Sequence, residues 1–171
     1  MTGPAAFPEP TGETADAAVL FARYLDFYRE TVLRKLAALP PAELRASRLP
    51  SGWTPVELLT HLAHMERRWI VWGFLGEDVG DPWGDQRDDR WHVPEDRLLA
   101  DLVAMLREVG RRTTAVLETR SLEERGEPGG RFDEDEPPTL AWICFHVLQE
   151  YARHAGHLDI AVELAGGPTG E

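Results

Sequence analysis

Four stretches of this chain space their apolar residues at steps of three and four, and none of consequence alternates at two, which restricts the fold to packed helices. The first runs from Asp16 to about Leu39, with Leu20, Tyr24, Leu25, Tyr28, Val32 and Leu36 on its apolar side, and Pro40-Pro41 stop it. The second opens at Thr54-Pro55, carries Leu58, Leu62, Met65, Trp69 and Trp72, and fades near Gly73 to Gly76. A third is expected from Pro94, with Glu95 and Asp96 in its first turn, through about Glu118. The fourth starts near Pro138 or Thr139 and ends before Gly166, Gly167 and Pro168. These segments predict an all-α fold, a four-helix bundle with long loops between helices. Residues 1–13 read as a flexible lead-in and 14–171 as a single domain, with 42–52, 77–93 and 119–137 as connections. The Asp-Pro, Gly-Asp and Asp-Asp pairs of 77–93 speak against regular structure there, and a loop of that length is uncommon unless it serves function or moves.

The fourth segment is unusual in what its seam carries. Ile143, Val147, Glu150, His154, His157 and Ala161 follow one another at steps of four and three, so three metal-capable side chains share one face. Glu150 and His154 stand one turn apart, about 6 Å along the axis, a separation from which two side chains can grip one ion. The adjoining row of Leu140, Cys144, Leu148, Tyr151, Ala155, Leu158 and Val162 marks this side as the buried one. An ionised carboxylate there needs a cation, an arginine or a polar cavity, because burying it alone costs several kcal/mol. The second helix adds more histidine. Its start is fixed by a capping box, with Thr54 as N-cap, Pro55 in the first helical position and Glu57 three residues after the cap. His61 and His64 both lie near the edge of its apolar stripe, and the spacing alone leaves open which of them faces a partner helix.

Charge and composition narrow the function. Eighteen Lys and Arg stand against 30 Asp and Glu, a net charge of −12 that repels phosphate backbones and anionic lipid, so nucleic-acid and membrane partners are disfavoured. No apolar run reaches membrane-spanning length and no signal peptide is indicated, which makes the cytoplasm the expected location. One cysteine, Cys144, excludes an intrachain disulfide and a multi-cysteine zinc site, and its apolar row makes it a core thiol.

The segment Ser51-Gly52-Trp53-Thr54-Pro55, followed by Leu58, Leu59, Thr60, His61 and Leu62, resembles the second helix of the DinB/YfiT-like metalloprotein superfamily. The run from Glu150 through Tyr151, Ala152, Arg153, His154, Ala155 and Gly156 to His157 resembles its fourth. Within that superfamily the mycothiol-dependent maleylpyruvate isomerases and related thiol S-transferases are similar in taking one histidine from helix two and a Glu-x-x-x-His or His-x-x-x-His pair from helix four. The resemblance therefore implies a divalent metal on His61, Glu150 and His154, and mycothiol as a co-substrate.

Two nitrogens and one carboxylate make an open three-ligand site, for which zinc is the expected ion and nickel or ferrous iron also suits. His157 and His64 are read as alternative ligands or as groups behind the ligands, and Asp159 as a partner that orients a ligating histidine. His146 competes weakly with the downstream pair, and His92 reads as a solvated loop residue. Trp53, Trp69, Trp72 and Trp142 read as core or bundle-end packing, Arg67, Arg68 and Arg153 as surface ion pairs or receivers of an acidic substrate, and Asp133 to Glu136 as a solvated acidic loop. The function expected is a metal-dependent transferase or isomerase that joins a small thiol to an electrophile. The alternatives are a non-catalytic metal- or ligand-binding bundle acting as a homodimer, and a metal-dependent hydrolase.

Overall fold

In a computed structural model, residues 9–10, 12–132 and 136–167 are described. The expected lead-in falls largely outside them, as do Asp133, Glu134 and Asp135 of the acidic run. Four long helices form: α1 (Ala17–Ala37), α3 (Pro55–Arg67), α4 (Leu99–Thr119) and α5 (Leu140–Leu164), with a single-turn α2 (Pro41–Leu44) between the first two. Their starts follow from capping. The Asp16 carboxylate accepts from the amides of Ala18 and Val19, the Thr139 hydroxyl from Trp142, and the Thr54–Glu57 capping box is complete in both directions. At the other end of α5, Gly166 adopts φ +75, and the Gly167 amide reaches back to the Val162 carbonyl at 2.9 Å.

Helix α1 packs on α4 and α5, and α3 packs on the same two, so α1 and α3 stand diagonally opposed. Leu25, Val32, Leu58, Leu59, Leu62, Leu106, Ile143, Val147 and Leu158 fill the space between them. The centre is not wholly apolar. Glu66 of α3 is fully buried and receives a two-pronged bond from Arg29 of α1, a bond from the Thr113 hydroxyl of α4 and one from the Tyr151 hydroxyl of α5 at 2.6 Å. One polar side chain from each long helix thus meets at the bundle's middle.

Three local features differ from the sequence reading. The third long helix begins at Leu99 and not at Pro94: the Arg45 guanidinium takes the Arg97 carbonyl at 2.7 Å and that of Pro94 at 3.4 Å, and residues 94–97 close a turn of their own. The second helix runs to Phe74, within the expected fade near Gly73 to Gly76, but its last part, Arg68–Phe74, is a π-helix. Connection 77–93 contains a small hairpin, β1 (Gln86–Arg87) with β2 (Arg90–Trp91), paired antiparallel with Gln86 opposite Trp91. Its Asp88 and Asp89 both take positive φ, 52 and 58, as the two central residues of a tight hairpin turn require. The Asp-Asp pair that argued for irregular chain is the turn that makes the strands.

Candidate metal centre

Helices α3 and α5 face each other along the groove where His61, Glu150 and His154 converge. One ligand-capable atom from each lies within 4.8 Å of the other two. The His154 Nε2 atom is 3.1 Å and the His61 Nε2 atom 3.8 Å from Glu150 Oε2. Donors bonded at about 2.1 Å around a tetrahedral ion stand roughly 3.4 Å apart, so the two separations from Glu150 already match such an ion, and the two histidines would draw together around it. Its chemistry fits as well, since two imidazoles and one carboxylate suit divalent ions of the zinc class. His61 and His154 are buried, while Glu150 keeps partial exposure. Burial first, and the neighbouring His61 second, push His154 down to about 4, so its ring is neutral near pH 7 and offers a lone pair.

The other nitrogen of His61 is occupied. His61 Nδ1 bonds Asp85 Oδ2 at 3.0 Å, and Asp85 is fully buried in connection 77–93. Asp85 in turn receives two bonds from Arg68, at 2.6 and 3.1 Å. Burial alone would raise the Asp85 carboxyl, but the bonds from His61 and Arg68 outweigh it and hold the group below its ordinary range. A carboxylate behind a histidine fixes which nitrogen carries the proton and how the ring is turned. The hairpin adds a roof: Trp91 stacks on His61 with centroids 4.3 Å apart and planes at 18°. Trp53 stands beside Trp91 and His157.

The remaining candidates separate. His157 Nδ1 lies 3.3 Å from His154 Nδ1, on the far side of that ring from Glu150, and so contacts the ligand-capable histidine from behind. His64 is not part of the cluster. Three residues along the helix from His61, it turns toward Gly84 and a cavity of about 430 Å³ that Thr60, Arg67 and Val93 also line, and burial depresses its pKa. Asp159 pairs with Lys35 and orients no ligand, which corrects the expectation for it. Arg68 is 3% exposed and bound to Asp85, while Arg67 bonds the carbonyls of Val79 and Asp81, so neither forms the surface ion pair expected; Arg153 is exposed. His146 stacks on Trp142, itself 52% exposed and outside the core. His92 is half-buried in the connection and donates its backbone N–H to the Asp85 carbonyl at 2.8 Å. Burial pushes the Cys144 thiol up to about 12, which leaves it inert.

Asp85 escaped the sequence reading, and Arg68 entered it only as a surface ion pair or a receiver of an acidic substrate. Asp85 sits in an aperiodic loop among several other acids, and nothing in its spacing distinguishes it. The one available signal was the length of that loop.

Comparison with known proteins bears on the family. A family model described as Mycothiol-S-transferase matches residues 20–167. Among solved structures, the crystal structure of a DinB-like protein from Bacillus subtilis aligns with TM-score 0.57 and 14% identity, covering 86% of this chain and 93% of that one. That likeness places the fold with the DinB/YfiT-like helical bundles. No curated protein matches.

Proposed function

The chain belongs to the mycothiol S-transferase family, and on that premise we propose that it holds one divalent metal on His61, Glu150 and His154 and joins a mycothiol-type thiol to small electrophiles. Zinc is the ion we favour, with nickel and iron as alternatives, and a cytoplasmic setting suits a small-thiol enzyme. Among the described residues no helix is long and apolar enough to cross a membrane. We read residues from about 14 onward as one domain.

The observation that carries the proposal is the convergence of three donors with the opposite nitrogen of His61 already engaged by Asp85. A divalent ion at such a site lowers the pKa of a thiol brought to its open position and keeps it as the nucleophilic thiolate. The chain's own residues prepare that position. Asp85 and Arg68 hold the His61 proton on Nδ1 and leave Nε2 for the groove. Binding through Nε2 of His154 places its proton on Nδ1, where His157 accepts it. Trp91 and Trp53 exclude water from one side, while the partial exposure of Glu150 leaves the other side open to a ligand. The contact of His157 with the rear nitrogen of His154, and not with the donor side, favours an open site over a closed structural one. A fourth protein ligand closing the site would instead favour the non-catalytic reading, with pairing of two copies.

The test is to follow electrophile consumption with mycothiol, bacillithiol and glutathione, using metal-loaded protein, metal-stripped protein and two variants. We expect mycothiol-dependent turnover, about one divalent ion per chain, loss of both in His154→Ala, and retention of the ion in His157→Ala. Retention of the ion by His154→Ala removes that residue from the site. Turnover that survives metal stripping overturns the metal-dependent mechanism.

A further inference from the structure

Residues 126–132 of the connection 119–137 fold back onto the π-helical end of α3 and are keyed to it by glycines. The Glu127 amide donates to the Phe74 carbonyl at 3.0 Å. A Cβ at Gly126 would lie 3.1 Å from the Gly73 carbonyl oxygen, and one at Gly130, whose φ is +57, only 2.8 Å from that of Trp72. Side chains at these positions would push the loop off the helix. The loop closes on itself between Gly129 and Phe132, with amide–carbonyl bonds of 2.8 and 3.1 Å, and carries Arg131 in that turn.

Arg131 has an unusual environment. Its guanidinium carbon lies 4.1 Å from the ring centroid of Trp69, with the Trp83 and Trp72 rings at 5.7 and 5.9 Å. The residue is half-buried, and among the described residues no carboxylate or carbonyl bonds it. Burial, and then the charge of nearby Arg68, make its cationic form less favourable than usual. Arg68 has Asp85 as its counter-ion, but among the described residues Arg131 has only aromatic faces, and these offset part of the desolvation of a guanidinium. A half-buried cation with no anion among the described residues can still receive one.

Its position connects it with the cluster. Trp69 lies 4.1 Å from the His146 ring, centroid to centroid, and Trp142 stacks on His146 at 12°. His146 precedes Glu150 by one helical turn, about 6 Å along α5. The guanidinium and its indoles therefore reach His146, one helical turn of α5 before Glu150 of the cluster.

We propose that Arg131 receives the carboxylate of the electrophile, so that the substrates are flat, unsaturated or aromatic carboxylic acids whose apolar frame lies against Trp69 and Trp142. The assignment of this acid as the thiol's co-substrate rests on the transferase reading; the acid-binding seat itself does not. Calorimetric titration of metal-stripped protein with cinnamate and with its neutral isostere cinnamamide tests the seat alone, since no ion is present to take the carboxylate. We expect cinnamate to bind about tenfold more tightly than the amide, Arg131→Gln to abolish the preference, and Arg131→Lys to keep part of it, with the melting temperature of each variant confirming the fold. Equal binding of acid and amide, an unchanged preference in Arg131→Gln, or no binding of either at millimolar concentration overturns the proposal. Loss of thiol transfer with the preference intact refutes the activity and leaves the acid seat; transfer with no preference does the reverse.

Discussion

His61 has two ring nitrogens, and its surroundings give each a different use. Asp85 takes Nδ1, Trp91 fixes the plane of the ring, and only Nε2 faces Glu150. If this arrangement is what prepares the donor, Asp85→Asn should weaken metal binding about 10- to 100-fold, measured by chelator competition, while conserving the side chain's size. An affinity equal to that of the unaltered protein would show that the carboxylate does not tune His61. The cluster residues were legible in the sequence because helical spacing put Glu150 and His154 on one face and brought His61 to the edge of another. The choice between His61 and His64 was not. A helical step of three residues rotates a side chain by about 60°, enough to take His64 out of the groove between α3 and α5, and only the placement of the partner helix decides which one enters. Asp85 was illegible for a different reason: its value comes from contacts made by chain that has no period.

At the level of elements, α3 carries two departures from a plain amphipathic helix, the π-helical end and the buried Glu66. The π segment widens the helix where Arg68 leaves it for Asp85 and Trp69 faces Arg131. Glu66 binds Arg29, Thr113 and Tyr151 at once. Glu66→Ala should therefore destabilise the fold by about 3–5 kcal/mol, because it strands a buried guanidinium, and urea unfolding would measure it. Metal content of the folded variant should stay unchanged, since none of the three donors touches this network. A loss below about 1 kcal/mol would mean that water or another carboxylate satisfies Arg29. Helix existence and order were readable from apolar spacing, and the N-cap Thr54 from its capping box, while Asp16 and Thr139 were read only as approximate starts. The late start of α4 was not readable, because it depends on Arg45, about fifty residues earlier, which binds the carbonyls of Pro94 and Arg97. Nor was the hairpin, whose two-residue turn uses Asp-Asp where glycine or asparagine is the common signal.

Across the whole molecule, the histidines set the response to acid. His64, His146 and His154 all have depressed pKa values, each through burial first, with His154 lowest at about 4. The unfolded chain then binds protons more readily than the folded one from about pH 6.5 downward, so their contribution to stability is complete above that pH and drains away as it falls toward 4. Protonation also reduces the net charge of −12 and its self-repulsion, an opposing effect that salt screens. Melting curves of metal-stripped protein at physiological ionic strength should show a melting temperature several degrees lower at about pH 5 than at about pH 7.5; a constant or higher value in acid would mean that these rings are not held neutral. The four-way junction of Arg29, Glu66, Thr113 and Tyr151 also limits how the molecule can move. With the rods clasped at mid-height, parting them to admit a guest would uncouple a dehydrated charge pair, so the bundle itself is no hinge.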